Sequence, residues 1–216
     1  MKYFSLILLF VVFSCGNKED ILLPKSNVTV VSNVVDHSPI YIFFRTKDKD
    51  TLAEVNKKNE IISTSWIFNI DKRLPLRLVI PEVMKLQQKK REEVAHKNEK
   101  AENYYSYADS IGKNMAFLPF TKVYYKMGKP KYGVIVYFNK HNEIYVFDWF
   151  SMENLLVKKD NLQEYLNALP SEKPNKYLFC FSKDLTFGNY IQDKIFIQSL
   201  KLYFPDLNLT NEEYIY

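Results

Sequence analysis

Short stretches of alternating or continuous apolar residues recur along this chain, a pattern typical of half-buried and buried β-strands. The stretches lie at residues 27–35, 40–45, 61–70, 120–126, 133–139, 143–149 and 177–181. The three stretches between residues 120 and 149 follow one another closely, so we expect them to form a meander. A short closing strand is expected at residues 214–216.

Helical spacing of apolar residues predicts helices in three further stretches. These helices are expected at residues 50–58, 160–169 and 186–202. Thr51 and Glu54 have the spacing of a capping box. Asp160 and Thr186 stand where an N-cap residue belongs. The chain therefore mixes helices with strands.

Residues 74–88 also show helical spacing, but Pro81 lies inside the pattern. A proline in a helix interior costs about 3 kcal/mol. We therefore expect the helix to begin near Pro81, the alternative being one helix that is kinked there. The residues that follow are highly charged, and Glu93 stands four residues before Lys97, a supportive helical pair. They predict a charged helix and linker over residues 91–115.

Two parts of the chain resemble each other. Residues 67–74 align with residues 178–185 at an offset of 111, and residues 40–43 align with residues 144–147 at an offset of 104. The larger offset brings together identical residues at Phe68/Phe179, Lys72/Lys183, Leu74/Leu185, Ile80/Ile191 and Gln87/Gln198. Such matches also arise by chance between unrelated β-α units, so duplication and coincidence both remain open.

We accordingly predict an α+β fold of two similar small units, each with a mixed or antiparallel sheet and helices packed on one face. The predicted segments are a signal peptide at residues 1–14, a lipidated tether at 15–26, a first unit at 27–90, the charged helix and linker at 91–115, and a second unit at 116–216.

The N-terminal segment has the form of a signal peptide. Lys2 is followed by an apolar run over residues 3–13, which is shorter than the roughly 20 residues of a membrane span and has the length of a signal-peptide core. Ser14 is a small residue before a cleavage point, and Cys15 supplies a thiol for lipidation. The segment resembles the lipobox of bacterial lipoproteins, with Phe13 bulkier than usual. The alternative is an uncleaved leader with an incidental cysteine.

Lys18, Glu19 and Asp20 place two acids directly after a lysine. This triplet resembles the export signal of Bacteroidetes surface lipoproteins. The resemblance implies an outer-membrane lipoprotein that is exposed at the cell surface and held to the membrane through the lipid on Cys15. Two or more acyl chains make such anchoring stable, at about 0.8 kcal/mol for each buried CH₂ group.

A second pattern combines a strand at residues 142–147, a helix at 160–169, the strand end Ser182-Lys183-Asp184 and a helix after Thr186, and residues 70–75 are similar. Each unit thereby resembles the periplasmic domain of biopolymer-transport proteins, the ExbD/TolR family. That family has an N-terminal membrane helix with a proton-carrying aspartate, and this chain has the lipoprotein leader in its place. The resemblance therefore implies the fold and contact with envelope partners or the cell wall, but not proton-driven energising.

Composition and charge indicate a globular protein and argue against a nucleic-acid binder. The chain is 47% hydrophobic and 25% charged, which is ordinary for a globular protein. Its 16 Tyr and 16 Phe, against 5 Gly, favour sheets. The net charge of +5 comes from lysines that alternate with acids, whereas a nucleic-acid binder concentrates basic residues on one face. We therefore expect no nucleic-acid partner. Cys180 lies among apolar residues and is expected to be a buried free thiol without a disulfide.

Residue types that commonly carry catalysis or bind metals show no recognised arrangement. The histidines are His37, His96 and His141, and none belongs to an HExxH or other paired metal motif. The chain also lacks a Gly-x-Ser-x-Gly elbow and a phosphate-binding glycine loop. We therefore predict no catalytic residue, no metal and no cofactor.

Two functional hypotheses follow. In the first, the protein is a membrane-anchored, non-catalytic binding or scaffolding module whose exposed aromatic residues bind another envelope protein or a glycan. The residues expected on this surface are Tyr104, Tyr105, Tyr124 and Tyr125. In the second, it is an envelope-polymer hydrolase that uses the carboxylates of Asp148 and Asp184. These residues and Asp71 stand at predicted strand ends, where aspartates more often form turns and caps.

Surface exposure can be tested on intact cells. If Lys18, Glu19 and Asp20 direct export, we expect protease or antibody added to whole cells to reach the protein, because the lipid on Cys15 then holds the body outside the outer membrane. Protection that lasts until the outer membrane is permeabilised would contradict surface exposure.

Overall fold

The computed structural model describes residues 20–56, 58–95, 97–149, 152–169, 177–203 and 209–216. The predicted signal peptide, Cys15, Lys18, Glu19 and His96 lie outside these residues, and Asp20 is exposed. The described part contains two mixed sheets of six strands each and three α-helices. The predicted α+β class with two similar units is confirmed.

The first sheet is built from the earlier part of the chain. Its strands are β1 (Lys25–Ser26), β2 (His37–Lys47), β3 (Asp50–Asn56), β4 (Ser65–Ile70), β5 (Asn103–Asp109) and β6 (Asn114–Pro119). Their order is β1-β5-β4-β2-β3, and β6 also pairs with β5, outside this order. Strands β2, β4 and β5 run parallel, and β3 and β6 are antiparallel to their neighbours. Helix α1 (Leu76–Glu92) connects β4 to β5.

The second sheet has the order β10-β9-β8-β11-β12-β7. Its strands are β7 (Tyr124–Met127), β8 (Val134–Phe138), β9 (Ile144–Asp148), β10 (Asn154–Val157), β11 (Tyr177–Phe181) and β12 (Leu209–Ile215). The helices are a 3₁₀ turn (Lys159–Asn161), α2 (Leu162–Ala168) and α3 (Phe187–Tyr203). The meander consists of β8, β9 and β10, whereas β7, which was expected in it, pairs with β12.

Both sheets follow one plan, in which a β-hairpin is followed by a strand, a helix and a strand. The spatial orders β3-β2-β4-β5 and β9-β8-β11-β12 correspond strand by strand. Ile40 of β2 pairs with Phe68, and Val136 of β8 pairs with Phe179, which lies 111 residues after Phe68. The offset of 111 therefore relates β4 to β11. The offset of 104 is wrong, because it aligned β2 with β9, whereas strand pairing makes β8 the counterpart of β2.

A pseudo-two-fold junction joins the two units where α1 and α3 begin. Pro75 and Thr186, which are 111 residues apart, form an isolated antiparallel bridge. Four backbone hydrogen bonds surround the bridge in two pairs that the same offset exchanges. The pairs are Leu76 N to Leu185 O (3.0 Å) with Phe187 N to Leu74 O (2.8 Å), and Arg77 N to Lys183 O (2.8 Å) with Gly188 N to Lys72 O (3.0 Å). Each helix thus has its first N–H groups satisfied by the other unit.

This junction explains why α1 begins at Leu76 rather than near Pro81, where the sequence predicts its start. The N–H groups of Leu76 and Arg77 have acceptors in the second unit, so the first turn is stabilised from outside the helix. Pro81 lies inside α1 and removes one intrahelical hydrogen bond. The start of α3 agrees with the prediction, since the Thr186 hydroxyl accepts a hydrogen bond from Asn189 N at 3.3 Å.

The helix predicted at residues 50–58 is wrong, because β3 pairs along its whole length with β2. Asp48 makes the tight turn between the two strands with φ of 58°. Glu54, which was expected in a capping box, instead accepts a 2.6 Å hydrogen bond from Arg45 Nε across the hairpin. Strand pairing therefore overrides the local helix signal.

The linker predicted at residues 91–115 is also wrong. Helix α1 ends at Glu92, and β5 then enters the middle of the first sheet, where Tyr105 and Tyr107 are fully buried. Burying two such large side chains stabilises the sheet far more than the charged run before them favours an exposed linker.

The predicted tether at residues 15–26 is bound to the body in its described part. Lys72 N donates to Leu22 O at 2.8 Å, and β1 pairs with β5. The predicted strand at residues 27–35 is replaced by an irregular segment with a single bridge from Val31 to Phe117. This segment packs on the outer face of the first sheet, where it forms a small apolar cluster with Ile67 and Phe117.

One hydrophobic core contains buried residues of both units. Phe68 meets Phe120 edge to face, with 5.1 Å between ring centres. Tyr105 of the first unit meets Phe187 of the second in the same way at 5.3 Å. The aromatic residues that favoured sheets in the sequence therefore also join the units.

A chain of buried hydroxyl groups crosses this core. Tyr105 Oη lies 2.6 Å from Tyr125 Oη, which lies 3.0 Å from Tyr190 Oη. Tyr190 donates to Glu213 Oε2 at 2.8 Å, and Lys194 pairs with the other carboxylate oxygen of Glu213. Burial raises the pKa of all three tyrosines above the usual range. The hydroxyls therefore stay protonated, and each can donate to the next towards the carboxylate.

A buried carboxylate ties together three elements of the second unit. Asp193 of α3 is fully buried and accepts a 2.8 Å hydrogen bond from Lys159 Nζ in the 3₁₀ turn. The Asn142 amide, oriented by its hydrogen-bond partners, donates to both carboxylate oxygens at 2.9 and 3.1 Å. Burial raises the pKa of Asp193 to about 6, although Lys159 opposes the rise.

Removing one hydroxyl from the buried chain tests its contribution. We expect Tyr190→Phe to lower the free energy of unfolding by about 1–3 kcal/mol, because Glu213 loses a donor and the Tyr125 hydroxyl loses its acceptor. Urea denaturation measures the change. Tyr124→Phe is the matched control, since Tyr124 is half exposed, and it should change stability by less than about 0.5 kcal/mol. Equal effects of the two substitutions would contradict the hydrogen-bond chain.

Asp193 predicts a pH dependence of stability. Because its pKa is higher in the folded state than the ordinary 3.8, the folded protein holds the proton more tightly between about pH 4 and pH 6. Its contribution to stability therefore falls as the pH rises through this window. The Asp193→Asn variant has no titrating group at this position. Relative to this variant, the free energy of unfolding of the wild type should fall by roughly 1–3 kcal/mol between pH 4 and pH 7. A difference that stays constant with pH would contradict this expectation.

Candidate functional site

The outward face of the β8–β9 hairpin carries a ladder of large side chains. Strand alternation sends one set of residues into the core and the other set outwards. The outward residues are Ile135 and Tyr137 on β8 and Tyr145 and Phe147 on β9. Ile135 stands opposite Phe147, and Tyr137 stands opposite Tyr145. Because directly opposed side chains are neighbours, these four form one continuous surface.

This surface is the floor of a pocket of about 490 Å³, within the range of about 300–1,000 Å³ typical of ligand sites. Its other lining residues are Lys129, Pro130, Trp149, Asn154 and Tyr216. We call it the aromatic pocket. It combines the β7–β8 turn, the β8–β9 hairpin, the start of β10 and the residue after β12.

Ring contacts fix the walls of the aromatic pocket. Tyr137 and Tyr216 stack with 4.9 Å between ring centres and 14° between planes. Phe147 meets Trp149 edge to face at 5.3 Å, and 40% of Trp149 remains exposed. Lys129 Nζ lies 5.2 Å from the centre of the Tyr216 ring. The rings therefore hold one another in place and leave Trp149 accessible to a ligand.

The position of Tyr216 depends on sheet topology. The turn between β7 and β8 hydrogen-bonds β12 through Gly128 N and Ile215 O at 2.9 Å, and Gly128 has φ of 124°, which favours glycine. Tyr216 O accepts from Lys183 N at 2.9 Å. Burial raises the pKa of Tyr216, so its hydroxyl stays a neutral donor. The polar groups at this end therefore include the Tyr216 hydroxyl and the Lys129 ammonium.

The first unit does not repeat this aromatic set. Register places Pro39 at the position of Ile135, Tyr41 at that of Tyr137, and Asn56 at that of Tyr145. Tyr41 instead stacks on Phe43 within its own strand, at 5.9 Å. The two units thus share a plan, and the second carries the pocket.

The four tyrosines predicted as a binding surface do not share one exposed face. Tyr105 and Tyr125 are buried and belong to the hydroxyl chain. Tyr104 is partly buried and donates to Glu102 at 2.5 Å. Tyr124 is 50% exposed, but Arg91 lies over its ring at 4.3 Å. Adjacent residues of a strand point to opposite faces of the sheet. In each pair of neighbouring tyrosines on β5 and β7, one side chain is therefore buried and the other faces outwards.

The carboxylates of the hydrolase hypothesis are not brought together. Asp148 stands opposite Val134, beside the first residue of β11, Tyr177. Asp184 follows the last residue of that five-residue strand. The two acids therefore lie at opposite ends of the sheet, separated along the strand direction by at least about 13 Å at about 3.3 Å per residue. Asp184 also pairs with Arg77 of the first unit at 3.3 Å.

Asp71, the third acid at a strand end, is a structural residue. It is fully buried, and its carboxylate accepts hydrogen bonds from the Arg73 side chain at 2.7 and 2.9 Å. Leu22 N also donates to it at 3.3 Å. Burial opposes ionisation, but the hydrogen bonds from Arg73 and Leu22 outweigh it and lower the pKa of Asp71. The Asp71 carboxylate thereby holds Leu22, which lies in the segment after the predicted lipid anchor, against the body of the protein.

The remaining candidate groups are also placed by the structure. Cys180 is a buried free thiol, and burial raises its pKa. His37 is exposed and its Nδ1 lies 2.8 Å from Val34 O, and His141 is exposed. Within the described ranges, no group of three or more His, Cys, Asp or Glu side chains could hold a metal. None of the helices in that part of the chain is long and apolar enough to cross a membrane.

Sequence reasoning missed the aromatic pocket, although part of its signal is present. Tyr145, Phe147 and Trp149 recur at every second position of a predicted strand, a spacing that puts them on one face. The contribution of Tyr216 had no such signal, because it depends on β12 lying parallel to β11. No protein-family model, curated protein or solved structure matches this chain. Its function must therefore be inferred from the residues themselves.

Proposed function

We propose that this protein is a membrane-anchored envelope lipoprotein that acts as a non-catalytic binding or scaffolding module, with the aromatic pocket as its ligand contact. The observation that carries the proposal is the pocket itself, in which accessible aromatic rings surround a concave space with few polar groups. Sites of this composition bind ligands by burying apolar surface and orient them through a small number of hydrogen bonds.

The predicted anchor supports a binding role at the membrane surface. Leu22 is hydrogen-bonded to the body, and it follows Cys15 by seven residues. A lipid on Cys15 would hold the body within about 25 Å of the membrane, since an extended chain spans at most about 3.6 Å per residue. Such a short connection suits a module that holds a ligand at the surface.

The junction between the units supports a scaffolding contribution of the first unit. One core and reciprocal hydrogen bonds hold both units together. Part of the outer face of the first sheet is covered by Val31 and Val34 of its own chain. The aromatic pocket on the second sheet stays open. We therefore assign ligand contact to the second unit, and we assign to the first unit the role of holding the second in place.

The competing hydrolase hypothesis depends on Asp148 and Asp184 acting together. Two carboxylates that share one reaction are typically about 5–10 Å apart. The opposite ends of a five-residue strand lie well outside that range. The likeness of each unit to ExbD/TolR periplasmic domains stays a prediction, and it would be consistent with an envelope partner.

The proposal predicts that one exposed ring controls binding. We expect the acylated protein, purified in detergent and immobilised, to retain a specific component of the solubilised envelope fraction. Trp149→Ala should weaken this retention by about tenfold or more, because Trp149 supplies an accessible aromatic face. Quantitative mass spectrometry of the retained material measures the change.

The matched control is Tyr124→Ala, which removes an aromatic ring of 50% exposure outside the pocket. It should leave retention unchanged, and the melting temperatures of both variants should stay close to that of the wild type. Retention that survives Trp149→Ala, or falls equally in both variants, would rule out the aromatic pocket as the contact.

A further inference from the structure

We propose that the aromatic pocket binds a saccharide that carries negative charge. This inference rests on the proposed binding function and specifies the chemistry of the ligand. It depends on three properties of the lining: aromatic faces that are accessible, hydrogen-bonding groups at their margins, and a charge of one sign.

The aromatic faces match one side of a sugar ring. A pyranose presents C–H groups on its faces and hydroxyl groups around its edge, so it packs against an aromatic ring while its edge is hydrogen-bonded. Trp149 and Phe147 offer such faces at one end of the pocket, and Tyr137 and Tyr216 at the other. Aromatic residues supply this contact area with little loss of side-chain entropy.

The margin of the pocket carries groups that can bond sugar hydroxyls. The Asn154 side chain is exposed and provides both a donor and an acceptor. Tyr145 is half-buried, and its hydroxyl reaches Glu143 only at 3.4 Å in an exposed contact, which leaves it able to take a better partner. Mixed donors and acceptors around apolar faces favour a polyhydroxylated ligand over a purely apolar one.

The charge of the margin favours an acidic ligand. Among the described lining residues, Lys129 carries the charge. The turn to which it belongs also contains Lys131, and Lys126 precedes the turn on β7. Both lysines are exposed, and no acid lies between residues 126 and 131. Glu143 lies at the same end of the sheet as Lys129, but its carboxylate is held by a hydrogen bond from the Asn139 amide at 2.7 Å. A uronic-acid carboxylate at the Lys129 end would therefore meet complementary charge.

A peptide strand fits this surface less well. Peptides that bind sheets do so by pairing their backbone with an unpaired strand edge. The floor of the aromatic pocket is a sheet face, where β8 and β9 already pair with each other and with β11 and β10. A peptide lying there would leave its own backbone groups without partners from the sheet.

Titration calorimetry with the acylated full chain in detergent tests the inference. The probes are an oligogalacturonate, which is acidic, and a chito-oligosaccharide of the same length, which is neutral. We expect the acidic probe to bind about tenfold more tightly at low salt, and the difference to shrink with added salt. Trp149→Ala should weaken both probes by about tenfold, and Asn154→Ala should weaken both by a smaller factor.

The charge contribution is isolated by Lys129→Gln, with Lys49→Gln, an exposed lysine of the first unit, as the matched control. Lys129→Gln should weaken the acidic probe much more than the neutral one and so remove the preference between them, whereas Lys49→Gln should change neither. Equal binding of both probes in the wild type would overturn the assignment of negative charge.

Failure of this inference can be told apart from failure of the proposed function. If neither saccharide binds but retention of an envelope component still depends on Trp149, the ligand is of another class and the binding function stands. If neither saccharide binds and retention is also independent of Trp149, both proposals are overturned.

Discussion

The structure depends on the backbone contact between the two points where α1 and α3 begin. Pro75 and Thr186 form the bridge, and the hydrogen bonds around it run from each unit into the other. The first N–H groups of a helix need partners outside that helix, and here those partners belong to the opposite unit. Neither helix has these N–H groups satisfied in the same way within its own unit. The backbone N–H groups that need external partners therefore hold the two similar units together.

The same plan serves two different purposes in the two units. On the first sheet, an irregular segment from Val31 to Val34 packs on the part of the outer face formed by Ile67, Tyr104 and Phe117. On the second sheet, aromatic residues occupy the outward positions of the hairpin and leave a pocket. The shared core, the hydroxyl chain to Glu213 and the junction keep the positions of these faces fixed relative to each other. Divergence is therefore concentrated on the outer surfaces, where changed side chains disturb packing least.

The sequence predicts the elements whose signals are local and agree with their surroundings. Residues 177–181 are a strand as expected, and Thr186 caps α3 because the capping hydroxyl and the following apolar spacing support the same helix. The predictions fail where tertiary contacts oppose a local signal. Pro81 is accommodated in α1 because the other unit stabilises the helix start, and Glu54 lies in a strand because β2 pairs with it. Prediction of the aromatic pocket requires both the alternation of residues along the hairpin and the parallel pairing of β12 with β11. No short stretch of sequence indicates that pairing.

The backbone hydrogen bonds of the junction are symmetric, but its side chains are not. Arg77 and Gly188 occupy equivalent places, but they are not interchangeable. A Cβ atom at Gly188 would lie 3.1 Å from Lys72 Cβ and 3.3 Å from Lys72 O, so a larger residue there would require Lys72 to move by a few tenths of an ångström. The two places therefore tolerate substitution unequally. The place in the second unit admits a larger residue only if Lys72 shifts, whereas the place in the first unit already carries an arginine.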